Sequence, residues 1–243
     1  MPVGVLDFPD IATVYARFAA LTALSADLGG WLLLYARLDR DGVAVAMASN
    51  VAGAASLGVE PDAELAKAAL RSGVCDFVVI NLGEALRILK NEIRKHNAVS
   101  VLLTDEVDPT IREIIARGVQ PEVLAFPVTE LMERGARVLA SDGPGALDGM
   151  VPVSWSVEHE TLRWLPALDE LAVRSLETAD ARVRWIEASP RYLGRAFAGR
   201  RFVRMTMAEA DAFVAAAREA VAAGSIQVPV SVTRGDEVVS IAP

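Results

Sequence analysis

Short apolar runs alternate with helix-period segments from Trp31 to Ser141, and that alternation constrains the fold more than any single motif. The runs WLLLYA (31–36), LGV (57–59), CDFVVI (75–80), VSVLLT (99–104), EVLAFP (122–127) and ARVLAS (136–141) read as strands. Between them the spacing predicts a helix from the Asp39–Gly42 turn to about Ser56, one from Asp62 to Ser72 stopped by Gly73, and an amphipathic one from Leu82 to Lys95. A fourth is capped by Asp108 with Pro109 in its first turn and closes at Arg117-Gly118. The strands are apolar on consecutive positions, so both their faces must be buried. The predicted class is therefore α/β: a Rossmann-like parallel sheet with helices on both faces.

Composition changes at SDGPGALDG (141–149), which reads as a linker. Beyond it VPVSW (151–155) and ARVRWIEA (181–188) are expected strands, with a long helix near Leu162–Leu176 between them. The capping box Thr206–Glu209 opens another helix that stops at Gly224, and a hairpin turns at Arg234-Gly235-Asp236. Ile11 to Leu28 has helical periodicity. The expected organisation is a domain over 30–141, a linker over 141–149, and a smaller α/β, core-like domain built from 1–29 together with 150–243.

At 243 residues and 53% hydrophobic content the chain can bury a substantial core. A formal charge of −8 argues against nucleic acid or an anionic membrane as partner. No apolar run is long enough to span a bilayer, and MPVGVLDFPD lacks the basic-then-apolar order of a secretion signal. The single cysteine, Cys75, reads as a core thiol in a reducing cytoplasm.

The segment GVAVAMASNVAGAASLGVE (42–60) has the pattern of a dinucleotide-binding βαβ unit, a small-residue helix running into a short strand that ends on an acid. Of the glycine cluster that should precede it, RLDRDGV (37–43) keeps only Gly42. Several stretches in order resemble the urocanase (urocanate hydratase) family: AGAASLGVE (52–60), NLGEALRILK and ARGVQPEVL within 81–124, then LRWLPALDELA, ARVRWIEASPRYLGRAF and AREAVAAGSIQVPVSVTRGD. The resemblance implies a shortened, divergent relative, because urocanases are more than twice as long. It implies that Gly42, Glu60, Asp105 and Glu106 are vestiges of an NAD site, with Glu60 in the ribose-holding place. It also aligns VTELM (128–132) with the family's signature beside the nicotinamide, and Arg184 with its active-site cysteine.

The predicted strand ends carry Asp39, Asp41, Glu60, Thr104, Asp105, Glu106 and Asp108. Hard oxygen donors could attract a metal or a cationic ligand, or the loops could simply share the chain's acidic character. The run RYLGRAFAGRRFVR (191–204) is basic; Arg191 and Arg195, with Arg234 and Asp236 of the hairpin, are candidates for holding a small anionic ligand, against a solvated loop and turn. His96 and His159 have no partner at metal or catalytic spacing. The expectation is a urocanase-like binding or assembly protein, homodimeric, with no cofactor, no metal site and no urocanate hydratase catalysis. The alternative is an NAD-dependent hydratase of histidine degradation with a rebuilt site.

Overall fold

The computed structural model describes residues 5–140, 149–177, 180–197 and 199–243, with the side chains of Gly194 and Arg195 excepted. It divides into two compact units, one drawn from Met1–Pro144 with Arg191–Ala196 and one from Gly145–Pro190 with Phe197–Pro243. The expected linker lies outside the described residues except for Gly149.

In the first unit the elements are α1 (Ile11–Leu24), β1 (Leu32–Ala36), α2 (Arg40–Ala52), β2 (Ala55–Val59), α3 (Ala63–Ser72), β3 (Phe77–Val79) and α4 (Leu82–Arg94). They continue as β4 (Val99–Leu103), α5 (Val107–Ala116), β5 (Val123–Leu124), α6 (Thr129–Glu133) and β6 (Arg137–Val138). All six strands are parallel, in the order β3-β4-β2-β1-β5-β6. The Rossmann-like sheet expected from the alternation is present.

Alternate residues of the central strands build separate layers. Leu32, Leu34, Leu57, Val59, Val101 and Leu103 join Ala85 and Leu89 of α4 and Ile111 and Ile114 of α5 in one core. Helix α2 packs on β1, β2 and β4, and α1 packs on α2 in turn. Sandwiched between sheet and helix, α2 buries every residue from Gly42 to Ala52. That is the physical reason its sequence is small and apolar on all sides. On the α2 side Tyr35 pairs in register with Gly58. A Cβ on Gly58 would lie 2.3 Å from the Tyr35 ring, so glycine is what lets that ring lie across the neighbouring strand.

Several expected boundaries shift. Helix α2 ends at Ala52 rather than near Ser56, because the Gly53 and Ala54 N–H groups turn back to the Asn50 and Ser49 carbonyls and release β2 from Ala55. Helix α5 starts at Val107 with Glu106 as its cap residue, so Asp108 lies in the first turn instead of capping it. Helix α1, grouped from sequence with the C-terminal third, packs against α2.

The second unit contains β7 (Val151–Val157), α7 (Thr161–Arg174), α8 (Ala181–Tyr192), β8 (Arg200–Met205), α9 (Met207–Ala222), β9 (Val230–Arg234) and β10 (Glu237–Ile241). Its sheet is antiparallel, in the order β10-β9-β7-β8. The capping box at Thr206–Glu209 and the hairpin turn at Gly235-Asp236 appear as expected. ARVRWIEA is a helix, not a strand. The buried residues of that helix, Arg182, Trp185, Ile186 and Ser189, recur three and four apart, and that spacing closes on one helical face. The last five residues of the basic run, Arg200 to Arg204, lie in a strand, β8, paired along β7. No helix among the described residues is long and apolar enough to cross a membrane.

Candidate functional site

Strand order places a switch point between β1 and β5. The chain leaves β1 through α2 toward β2, and returns from β4 through α5 to β5 on the other side of β1. Open parallel sheets bind ligands at such a point, outside the carboxyl ends of the strands. A cavity of about 740 Å³ lies there, within the size range of small-molecule sites. Tyr35, Ala36 and Arg37 line it from β1 and the turn that follows, and Asp39, Asp41 and Gly42 from the start of α2. Val107, Asp108, Ile111 and Arg112 of α5 and Ala125 to Val128 after β5 complete the wall.

The turn after β1 is built by backbone. Arg37 adopts a left-handed conformation (φ 66°) and its N–H donates to the Val59 carbonyl at 2.8 Å. A Cβ on Gly42 would stand 2.0 Å from the Arg37 carbonyl oxygen, so glycine is demanded here by the turn's own closure. Asp39 caps α2, its Oδ1 accepting the Gly42 N–H at 2.8 Å. Asp41, in the first turn, accepts from Arg17 Nε of α1 at 2.7 Å. An anion approaching this helix end therefore meets two carboxylates, one of which already holds a first-turn N–H.

Glu60 follows β2 as expected but does not face the cavity. It is 4% exposed and absent from the lining residues. Its Oε2 accepts the Leu38 N–H at 2.6 Å and its Oε1 accepts the Asp62 N–H at 2.8 Å. The carboxylate ties the β1–α2 turn to the β2–α3 turn. Asp105 and Glu106 are exposed in the β4–α5 turn, where the Glu106 N–H donates to Asp105 Oδ1 at 2.8 Å. Of the four residues read as cofactor vestiges, the structure brings only Gly42 to the cavity. Among the described residues no three His, Cys, Asp or Glu side chains are grouped to hold a metal.

Sequence reasoning missed Arg37 and Arg112, which line the cavity and make no ion pair with a described residue. The signal for Arg37 was faint: a basic residue directly after a buried strand. Val128, which the resemblance places beside a nicotinamide, lines the cavity next to Phe126 and Pro127, so this part of the wall is apolar.

Of the candidates for holding an anionic ligand, Arg191 lies over the Tyr192 ring with 5.1 Å to its centroid. The side chain of Arg195 lies outside the described residues. Arg234 is bracketed by the Asp211 and Glu237 carboxylates, while Asp236 is exposed in the hairpin turn. Arg184, in the place of the family's cysteine, is an exposed residue of α8. His96 and His159 are both exposed. Cys75 is 3% exposed, and burial followed by the neighbouring Asp76 carboxylate pushes its thiol up to about 12.

The family model described as Urocanase Rossmann-like domain matches residues 11–127. The match runs from α1 to the residues following β5 and so takes in the elements that line the cavity.

Proposed function

From the premise that this chain is a relative of the urocanase family, carrying the family's Rossmann-like domain at residues 11–127, we propose that it works by binding and assembly, not as a urocanate hydratase holding NAD. The observation that carries this reading is the capped α2 terminus: Asp39 accepts the Gly42 N–H at 2.8 Å where a diphosphate would have to rest. A diphosphate there would displace that carboxylate and sit beside Asp41. Glu60 adds support, since it is buried between the Leu38 and Asp62 N–H groups and does not line the cavity where a ribose would lie. The residues present do not fit NAD held in the family's manner, and the hydration chemistry needs that cofactor as its reagent.

In this reading the switch-point cavity takes a small anionic ligand that Arg37 or Arg112 would meet, and the protein assembles as a homodimer in the cytoplasm. Phe77 and Ile80, 46% and 80% exposed on and beside edge strand β3, support assembly through that edge. The alternative, an NAD-dependent hydratase with a rebuilt site, is favoured by the size of the cavity that lies at the switch point.

The test is to purify the protein, read its 260/280 nm absorbance ratio and mass spectrum for dinucleotide, and measure thermal shifts with NAD and with urocanate. The expected result is no dinucleotide and no shift. Retained NAD would overturn the proposal.

A further inference from the structure

The second unit has its own groove, of about 550 Å³, lined from α7, α8 and β8. Pro166 and Val173 on one face of α7 and Ile186 and Pro190 on one face of α8 give it an apolar wall; Asp169, Glu170, Arg174, Glu187 and Arg201 bring charge to the rest. Arg201 of β8 also lines it. The side chain is 14% exposed and its Nε donates to Asp169 Oδ2 at 3.0 Å. The other Asp169 oxygen, Oδ1, accepts the Trp155 indole N–H at 2.9 Å.

Both Asp169 oxygens are thus committed, and the carboxylate grips the guanidinium by its side and not by its fork. The two terminal nitrogens of Arg201 make no hydrogen bond to a described residue. A largely desolvated guanidinium with its planar fork open beside an apolar wall is a receiver for a carboxylate, which meets such a fork with two parallel hydrogen bonds. Glu170, which accepts from the lining Arg174 at 3.2 Å, and Glu187 also line the groove; Glu187 is the lining carboxylate left without a cation among the described residues, and it disfavours a second negative charge on the occupant.

We propose that this groove binds a small monocarboxylate with an apolar body, the carboxylate on the terminal nitrogens of Arg201 and the body against Pro166, Val173, Ile186 and Pro190. The site lies in the second unit and stands whether or not the switch-point cavity holds a dinucleotide.

The test uses the full chain and ligand-observed NMR or calorimetry, with hexanoate, its neutral counterpart hexanamide, and inorganic phosphate as probes. Hexanoate is expected to bind, hexanamide about tenfold or more weakly, because it leaves the charged fork without a matching acceptor, and phosphate not at all. Val173→Trp, which fills the groove from a half-buried position, is expected to lose hexanoate while its melting temperature stays near that of the unaltered chain. Arg201→Gln is expected to erase the preference of hexanoate over hexanamide. Equal binding of hexanoate and hexanamide overturns the proposal, as does phosphate binding as tightly as hexanoate, unchanged binding in Val173→Trp, or no hexanoate binding. The comparison of probes requires no variant, so a variant that fails to fold does not shelter the idea.

Discussion

Replacing Glu60 with glutamine separates a structural acid from a cofactor-binding one. The carboxylate is 4% exposed and accepts the Leu38 N–H at 2.6 Å and the Asp62 N–H at 2.8 Å. Glutamine can offer its one oxygen to only one of these donors and turns an NH₂ toward the other. A hydrogen bond to a charged acceptor contributes about 1.5–3 kcal/mol, and a buried donor left facing another donor costs about 1–3 kcal/mol. Losing charge assistance on one bond and the whole of the other should therefore destabilise the first unit by roughly 3 kcal/mol. At roughly 2–4 °C per kcal/mol for a chain of this size, the melting midpoint should fall by about 10 °C. Circular dichroism melts at neutral pH with and without NAD measure it. A Glu60→Gln protein that melts with the unaltered chain would refute the reasoning, and most directly if it had also lost a stabilisation by NAD.

Three further outcomes are expected. Gly58→Ala puts a Cβ 2.3 Å from the Tyr35 ring and should cost about 1–3 kcal/mol, most of it recovered by adding Tyr35→Leu; additive losses in urea unfolding would contradict the contact. Burial of Glu209 would raise its pKa, but Arg182 and the Thr206 N–H together hold it below its ordinary 4.5. A depressed folded pKa means a contribution that is whole above pH 4.5 and is lost as pH falls through the lowered value. Stability of the unaltered chain should decline over that range and Glu209→Gln should flatten the decline; parallel profiles would contradict it. Cys75, its thiol near 12 and 3% exposed, should react with a thiol reagent at pH 8 only in denaturant, whereas native reaction at the rate of a free thiol would show that the site opens.

Much of the architecture was legible because local rules and the fold agree. Asp62 and Gly73 bracket α3 and the Thr206–Glu209 box opens α9, each acting within a few residues of itself. The same locality explains the failure at ARVRWIEA. Valine, arginine and tryptophan at close spacing read as a strand until one knows that Arg182 is buried and bonded to Asp180 and Glu209, which puts a charged residue on the inner face. A buried arginine is invisible to a hydrophobic period.

The candidate site divides the same way. The sequence alone determined that a carboxylate would follow the second strand, that a small-residue helix would follow β1, and that the strands would run parallel, because residue type and period govern these. Only the tertiary structure decided where those groups point. Glu60 faces the Leu38 and Asp62 backbone instead of the cavity, and Gly42 is required by the Arg37 carbonyl. The groove beside Arg201 likewise arises from two helices and a strand brought together across 35 residues of chain, from Pro166 to Arg201. Hydrogen-bond direction and burial depend on which remote segments fold back, and no local pattern encodes that.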